Sequence, residues 1–224
     1  MTRSAPATNE DSPVFIRIGE DAIAGDLVMP QGALGIVVFA HGSGSSRHSP
    51  RNRFVAHELQ QAGMATLLMD LLTADEERFD EICGSLRFDI GLLAGRLERS
   101  SDWVKHNPST HGLPMAYFGA STGAAAALVA AADRRKDVRA VVSRGGRPDL
   151  ATGSLRVVAA PTLLIVGGDD HVVIELNRRA LDQLACEKRL EIVRGASHLF
   201  EEPGTLEQVA GLAVDWFGRH LLKS

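Results

Sequence analysis

Apolar and polar positions alternate in blocks along this chain, and the blocks carry two periods. Continuous runs of β-type residues recur at 14–18, 22–29, 35–40, 65–69, 115–118, 138–142, 163–166 and 190–193. They are too short for helices, and turn residues such as Gly19 and Asp21 bound them. Between them the spacing changes to three and four. Val55, Leu59 and Ala62 follow Ser49-Pro50; Ile90, Leu93, Leu97 and Trp103 span 88–103; an alanine-rich segment fills 124–132; Leu206, Val209, Ala213, Trp216 and Phe217 mark 205–222. Ser49-Pro50 reads as an N-cap with proline at the first helical position, and Gly63 stops that helix. The first two runs predict an opening hairpin. The later runs are apolar without alternation, so their strands are buried on both faces, which requires a mostly parallel sheet between two helical layers. The expected fold is a three-layer α/β/α sandwich, a single domain over 14–224 behind a polar, flexible tail at 1–13.

In such a sheet ligands bind beyond the carboxyl ends of the strands. Four strand ends carry unusual residues: HGSGSS at 41–46, GASTG at 119–123, GGDDHVV at 167–173 and GASH at 195–198. GASTG satisfies G-x-S-x-G directly after an apolar strand and directly before a helix, the context in which a sharp turn lifts a serine hydroxyl above the sheet. The glycines allow neighbouring backbone to approach, and the helix N-terminus lies where an oxyanion would form. Ser121 is therefore the candidate nucleophile.

A serine hydroxyl needs a base, and the base needs an orienting acid. Asp170 and His198 follow in the order Ser, Asp, His, separated by 49 and 28 residues. Asp169 is the rival acid, with a helix cap or turn as its alternative role. Of the eight histidines, His57, His106, His111 and His220 fall on helices or in a polar loop. His171 adjoins the acid, and His41 ends a strand where a hydrogen bond would pin the following loop. His198 alone follows the final strand. The loop at 41–46 is glycine-rich but has neither G-x-x-x-x-G-K-[ST] nor G-x-G-x-x-G. It reads as an oxyanion loop, with the Ser43 N–H as second donor beside that of Thr122.

Composition narrows the picture further. With 224 residues, 45% hydrophobic and 23% charged, the chain is an ordinary globular one, and 24 Lys and Arg against 28 Asp and Glu lack the basic excess of a nucleic-acid binder. No apolar stretch has signal-peptide or membrane-spanning character, so no membrane partner is expected and the cytoplasm is the expected location. Cys83 and Cys186 lie far apart without a metal-binding spacing, which fits a reducing compartment. Neither a metal nor an organic cofactor is expected, and a homo-oligomer is left open.

Taken together, these motifs resemble the α/β-hydrolase superfamily, and more closely its small, lidless dienelactone hydrolase-like branch. The resemblance runs from HGSGSSRHSPRN through GASTG and SRGGRPDL to GGDDHVV and GASH. It implies Ser121 as nucleophile, Asp170 as acid, His198 as base, and the N–H groups of Ser43 and Thr122 as the oxyanion hole. Members that cleave dienelactone carry cysteine in the elbow, whereas this chain has Ser121, which points to a serine esterase acting on small esters or lactones. An acyltransferase or perhydrolase on the same triad, and a non-catalytic protein that kept the fold, are the alternatives. Arg144 and Arg47 are candidates to hold a substrate carboxylate. The alternative for these arginine clusters is structural pairing, such as Arg147 with Asp149 or Arg51 with a helix acid. Only nineteen residues, 143–161, occupy the usual place of a lid, so no cap domain is expected. The other cover would be 71–87, a loop with a helical turn or two, lined by Phe79, Ile82 and Leu86.

Overall fold

A computed structural model of the chain describes residues 12–151 and 153–221, so the predicted tail lies outside the described residues except for Ser12 and Pro13. Those two already belong to strand β1 (Ser12–Ile18), which forms the expected antiparallel hairpin with β2 (Asp21–Val28). The remaining strands are β3 (Ile36–Ala40), β4 (Ala65–Met69), β5 (Met115–Ala120), β6 (Val138–Arg144), β7 (Thr162–Gly167) and β8 (Lys188–Val193). They form one eight-stranded sheet in the order β1-β2-β4-β3-β5-β6-β7-β8, parallel from β4 to β8.

The pleat of each buried strand feeds two separate cores. Val37 and Phe39 of β3 face helices α1 (Pro50–Gln61) and α6 (Thr205–Leu221). Ile36, Val38 and Ala40 face the opposite layer of α3 (Ile90–His106), α4 (Thr122–Asp133) and α5 (His171–Gln183). This period-two division between two apolar layers is why the strands read as unbroken hydrophobic runs. At the start of α1, the Ser49 hydroxyl accepts the Asn52 N–H and Pro50 occupies the first turn.

The order of strands reverses at β3. The chain leaves β3 toward β4 through α1 on one face, then returns through α3 on the other to place β5 on the far side of β3. The crevice opened by this reversal lies at the carboxyl ends of β3 and β5. It receives the 41–46 loop and the 119–123 turn.

The segment 71–87 departs from expectation. It contains a ten-residue helix, α2 (Ala74–Cys83), where only a turn or two was expected. Phe79 and Ile82 point to solvent, Ile82 with 89% of its surface exposed, so they line nothing. What holds α2 is polar. A capping box joins Thr73 and Glu76, worth about 1 kcal/mol. Glu76 also accepts from Arg96 of α3 at 2.5 Å, and the buried Asp80 carboxylate accepts the Leu86 and Arg87 N–H groups and the Arg87 guanidinium. Residues 143–161 contain two short 3₁₀ turns, Pro148–Ala151 and Leu155–Val157, packed against α4. No separate cap domain is present among the described residues.

Candidate active site

Ser121 sits at φ 51° and ψ −121°, a left-handed backbone that costs a non-glycine residue of order 1–3 kcal/mol. The surroundings enforce it. The Ser121 N–H donates to the Arg144 carbonyl at 3.2 Å, and the Ser121 carbonyl accepts from Ala124 and Arg147 at 3.1 Å each. The flanking glycines are required by close approach. A Cβ at Gly119 would overlap the backbone of Ala124, and one at Gly123 would overlap the carbonyl oxygens of Ala40 and His41. The elbow is thus wedged against the end of β3, with α4 beginning at the next residue.

The acid and base come from the ends of β7 and β8. Nδ1 of His198 donates to Oδ2 of Asp170 at 2.6 Å, while Oδ1 of Asp170 accepts the Val173 N–H at the start of α5. Asp170 therefore both caps a helix and fixes a histidine tautomer with Nε2 free to accept. Asp169 is exposed, and the cap role expected of it belongs to Asp170. His171 is exposed as the first residue of α5, His57 is exposed on α1, and His220 is buried against Trp216 with ring centroids 4.7 Å apart. The turn after β6 runs alongside both Ser121 and His198. Arg144 and Arg147 bond the Ser121 backbone, and between them the position of a Cβ on Gly145 is 3.5 Å from Cε1 and Nδ1 of the His198 ring.

The loop after β3 is pinned from both ends. His41 Nδ1–H donates to the Gly42 carbonyl at 2.9 Å and its Nε2 accepts the Leu71 N–H at 3.2 Å. Burial pushes the His41 pKa below the ordinary histidine value, against the smaller opposing effect of the Gly42 bond, and keeps the ring neutral for that role. The Ser43 N–H, expected to point at an oxyanion, instead donates to the Thr122 hydroxyl at 3.0 Å. An oxyanion would have to take this donor from Thr122. The Thr122 N–H is at the first position of α4, where no intrahelical acceptor exists.

The two candidate arginines part company. Arg47 is tied to Asp70, through both its backbone N–H and its guanidinium, and lies 3.6 Å from Asp26, so it is structural rather than a substrate clamp. Its acids lie on and after strands distant in sequence. Arg147 and Asp149 form the expected pair, bidentate at 2.8 and 2.9 Å. Arg51 pairs at 3.1 Å with Glu201, which lies in the loop before α6 and not on a helix. Arg144 is buried and bonds no carboxylate among the described residues.

Beside the elbow lies a cavity of about 190 Å³, lined by His41, Ser43, Leu71, Glu77, Glu81 and Thr122 among others. One wall is α2, longer than the turn or two expected there, and its contribution is the carboxylates Glu77, Asp80 and Glu81 where apolar side chains were expected.

Residues 23–216 match the dienelactone hydrolase family. The chain belongs to that family. A crystal structure of a dienelactone hydrolase from Anabaena variabilis is 61% identical, with a TM-score of 0.93 over 95% of this chain and 98% of that one. The esterase Est1E from Butyrivibrio proteoclasticus shares the fold, at 15% identity and a TM-score of 0.80 over 94% of this chain and 99% of that one. Two proteins of Mycobacterium tuberculosis, provisionally named phosphoribosyl transferases, are 61% identical over 94% of this chain and 47% of their own length. The chain thus spans about half the length of these curated relatives. As a family member it has a hydrolase fold, and no helix among the described residues is long and apolar enough to cross a membrane.

Proposed function

We propose that the protein is a serine carboxylester hydrolase that cleaves small esters or lactones through an acyl-enzyme on Ser121. The observation that carries this reading is the strained Ser121 turn at the strand reversal, together with a histidine whose Nδ1 is committed to Asp170 and whose ring borders the turn that holds the elbow. Ser121 Oγ attacks the carbonyl while His198 Nε2 takes its proton. The Thr122 N–H, joined by the Ser43 N–H as it leaves the Thr122 hydroxyl, receives the oxyanion at the positive end of α4. His198 then protonates the leaving alcohol and activates water for deacylation. A cytoplasmic setting fits the unbridged Cys83 and Cys186. The transferase named for the curated relatives refers to chains twice as long, and the elbow geometry supplies no argument for it here.

Labelling with a fluorophosphonate tests this directly. Stoichiometric adduct on Ser121, found by peptide mass spectrometry, is the expected result; an unlabelled but folded protein would favour a non-catalytic role. The lining of the cavity carries a second expectation. Glu77, Asp80, Glu81 and Arg87 line it beside Thr122, so it offers a long alkyl chain little apolar surface. Nitrophenyl esters of C2 to C4 acids should therefore show higher kcat/KM than the C12 ester, with no jump in rate above the critical micelle concentration. A preference for the long chain would mean that α2 moves as a lid.

A further inference from the structure

Arg144, the last residue of β6, is 7% exposed, and its Nε and Nη1 are buried without a hydrogen-bond partner. A buried cation without a counter-charge is costly, and proteins rarely leave one. Four carboxylates of the neighbouring loops are engaged elsewhere, Asp170 by His198, Asp149 by Arg147, Glu201 by Arg51, and Glu202 by the Ser197 N–H at 3.0 Å, and Asp169 is exposed. The side chain's direction follows from the pleat. Ser143 turns toward α4, where a Cβ on Gly146 would meet Ser143 Oγ and Ala124 Cβ, so Arg144 turns to the face covered by α1 and α6.

On that face its charged neighbour is another cation, Arg51, in the first turn of α1. Burial and the like charge of Arg51 together push the Arg144 pKa down to about 10. Arg51 also lines a surface recess with Phe54, Phe200 and Glu201. Its pairing with the exposed Glu201 is a surface ion pair of the weak kind, and its Nε has no partner. Two guanidinium groups therefore share this face near the positive end of a twelve-residue helix, one of them buried with unpartnered nitrogens.

We propose that Arg144 and Arg51 form a binding site for a small oxyanion, a carboxylate or a phosphate group held by a guanidinium fork, on the α1 side of the catalytic edge. This site lies across the sheet from the cavity under α2. The anion has two sources, a free ion or a group borne by the substrate; only the second rests on the esterase reading.

Two measurements distinguish the sources. In the first, inorganic phosphate and acetate are titrated separately at constant ionic strength, with chloride as the balancing ion, and thermal unfolding is followed for the wild type and for Arg144→Met. A free-ion site raises the wild-type melting temperature saturably, and the substitution weakens the apparent affinity about tenfold or more. In the second, kcat/KM is compared for mono-nitrophenyl glutarate and for the neutral nitrophenyl butyrate. A substrate-borne anion gives a wild-type preference for the glutarate that falls about tenfold or more in Arg144→Met. Arg144→Lys, which keeps the charge but not the fork, and Arg51→Gln serve if the methionine variant does not fold, and each should reproduce part of the loss. Identical anion responses together with identical ester ratios in the wild type and the variants would overturn the proposal. Loss of all ester turnover in the wild type would count against the esterase reading alone, since the anion titration needs no catalysis.

Discussion

Replacing Ser121 by alanine is expected to lower ester turnover by about 10⁴-fold or more while leaving the melting temperature unchanged. The two halves of this expectation have separate physical grounds. Stability is preserved because the contacts that hold the elbow are made by the Ser121 backbone: its N–H to the Arg144 carbonyl, and its carbonyl to the N–H groups of Ala124 and Arg147. Alanine keeps the Cβ that packs on Gly42 and suffers no more strain at φ 51° than serine does. Activity is lost because no other hydroxyl is carried on the elbow at this position, and the members of such a unit do not act independently. Steady-state kinetics on a nitrophenyl ester, read beside a thermal melt, decides the matter. A folded alanine variant that retained more than about a tenth of the activity would remove Ser121 from the mechanism.

The framework was readable in the sequence because its strands are buried on both faces. Runs such as 36–40 and 163–166 leave no polar position to confuse the period, and Ser49-Pro50 marks the start of α1 with both cap signals present. The elbow and the Ser, Asp, His order were readable for a similar reason, since each follows a strong strand. Hydrophobic spacing does not mark a helix whose stability is not apolar. Helix α2 buries only Asp80, while Phe79 and Ile82 face outward, so hydrophobic spacing gave no stripe to follow; the usable signal was the capping box at Thr73 and Glu76. Helix α5 did carry a buried face, Val173, Ile174, Asn177 and Ala180. Its apolar stripe is interrupted by the buried polar Asn177, so hydrophobic spacing alone does not mark it. The arginines depended on tertiary partners. Arg47 meets Asp26 and Asp70 only because β2 pairs with β4, and the buried Nε and Nη1 of Arg144 meet no acceptor in the fold.

Asp170→Asn should be nearly as damaging as Ser121→Ala, about 10⁴-fold in kcat, whereas Asp169→Asn should change kcat by less than about threefold. The carboxylate of Asp170 serves two partners, and asparagine treats them differently. As a helix cap asparagine is as good as aspartate, so Oδ1 can still accept the Val173 N–H and α5 stays anchored. The second atom of the asparagine amide is then a donor. It faces Nδ1 of His198, now 2.6 Å from a carboxylate oxygen, and can bond only if Nδ1 has lost its hydrogen. The imidazole is driven into the tautomer with its proton on Nε2, which cannot take a proton from Ser121. The imidazolium formed during attack also loses the adjacent negative charge. Asp169 is exposed, with its backbone N–H bonded to the Ala196 carbonyl at 3.0 Å, and an amide there alters none of these relations. Kinetics of the two asparagine variants at neutral pH, with ¹⁵N chemical shifts of His198 to report the tautomer, give a joint test. Equal losses in the two variants, or an unchanged His198 tautomer in Asp170→Asn, would contradict the assignment of Asp170 as the orienting acid.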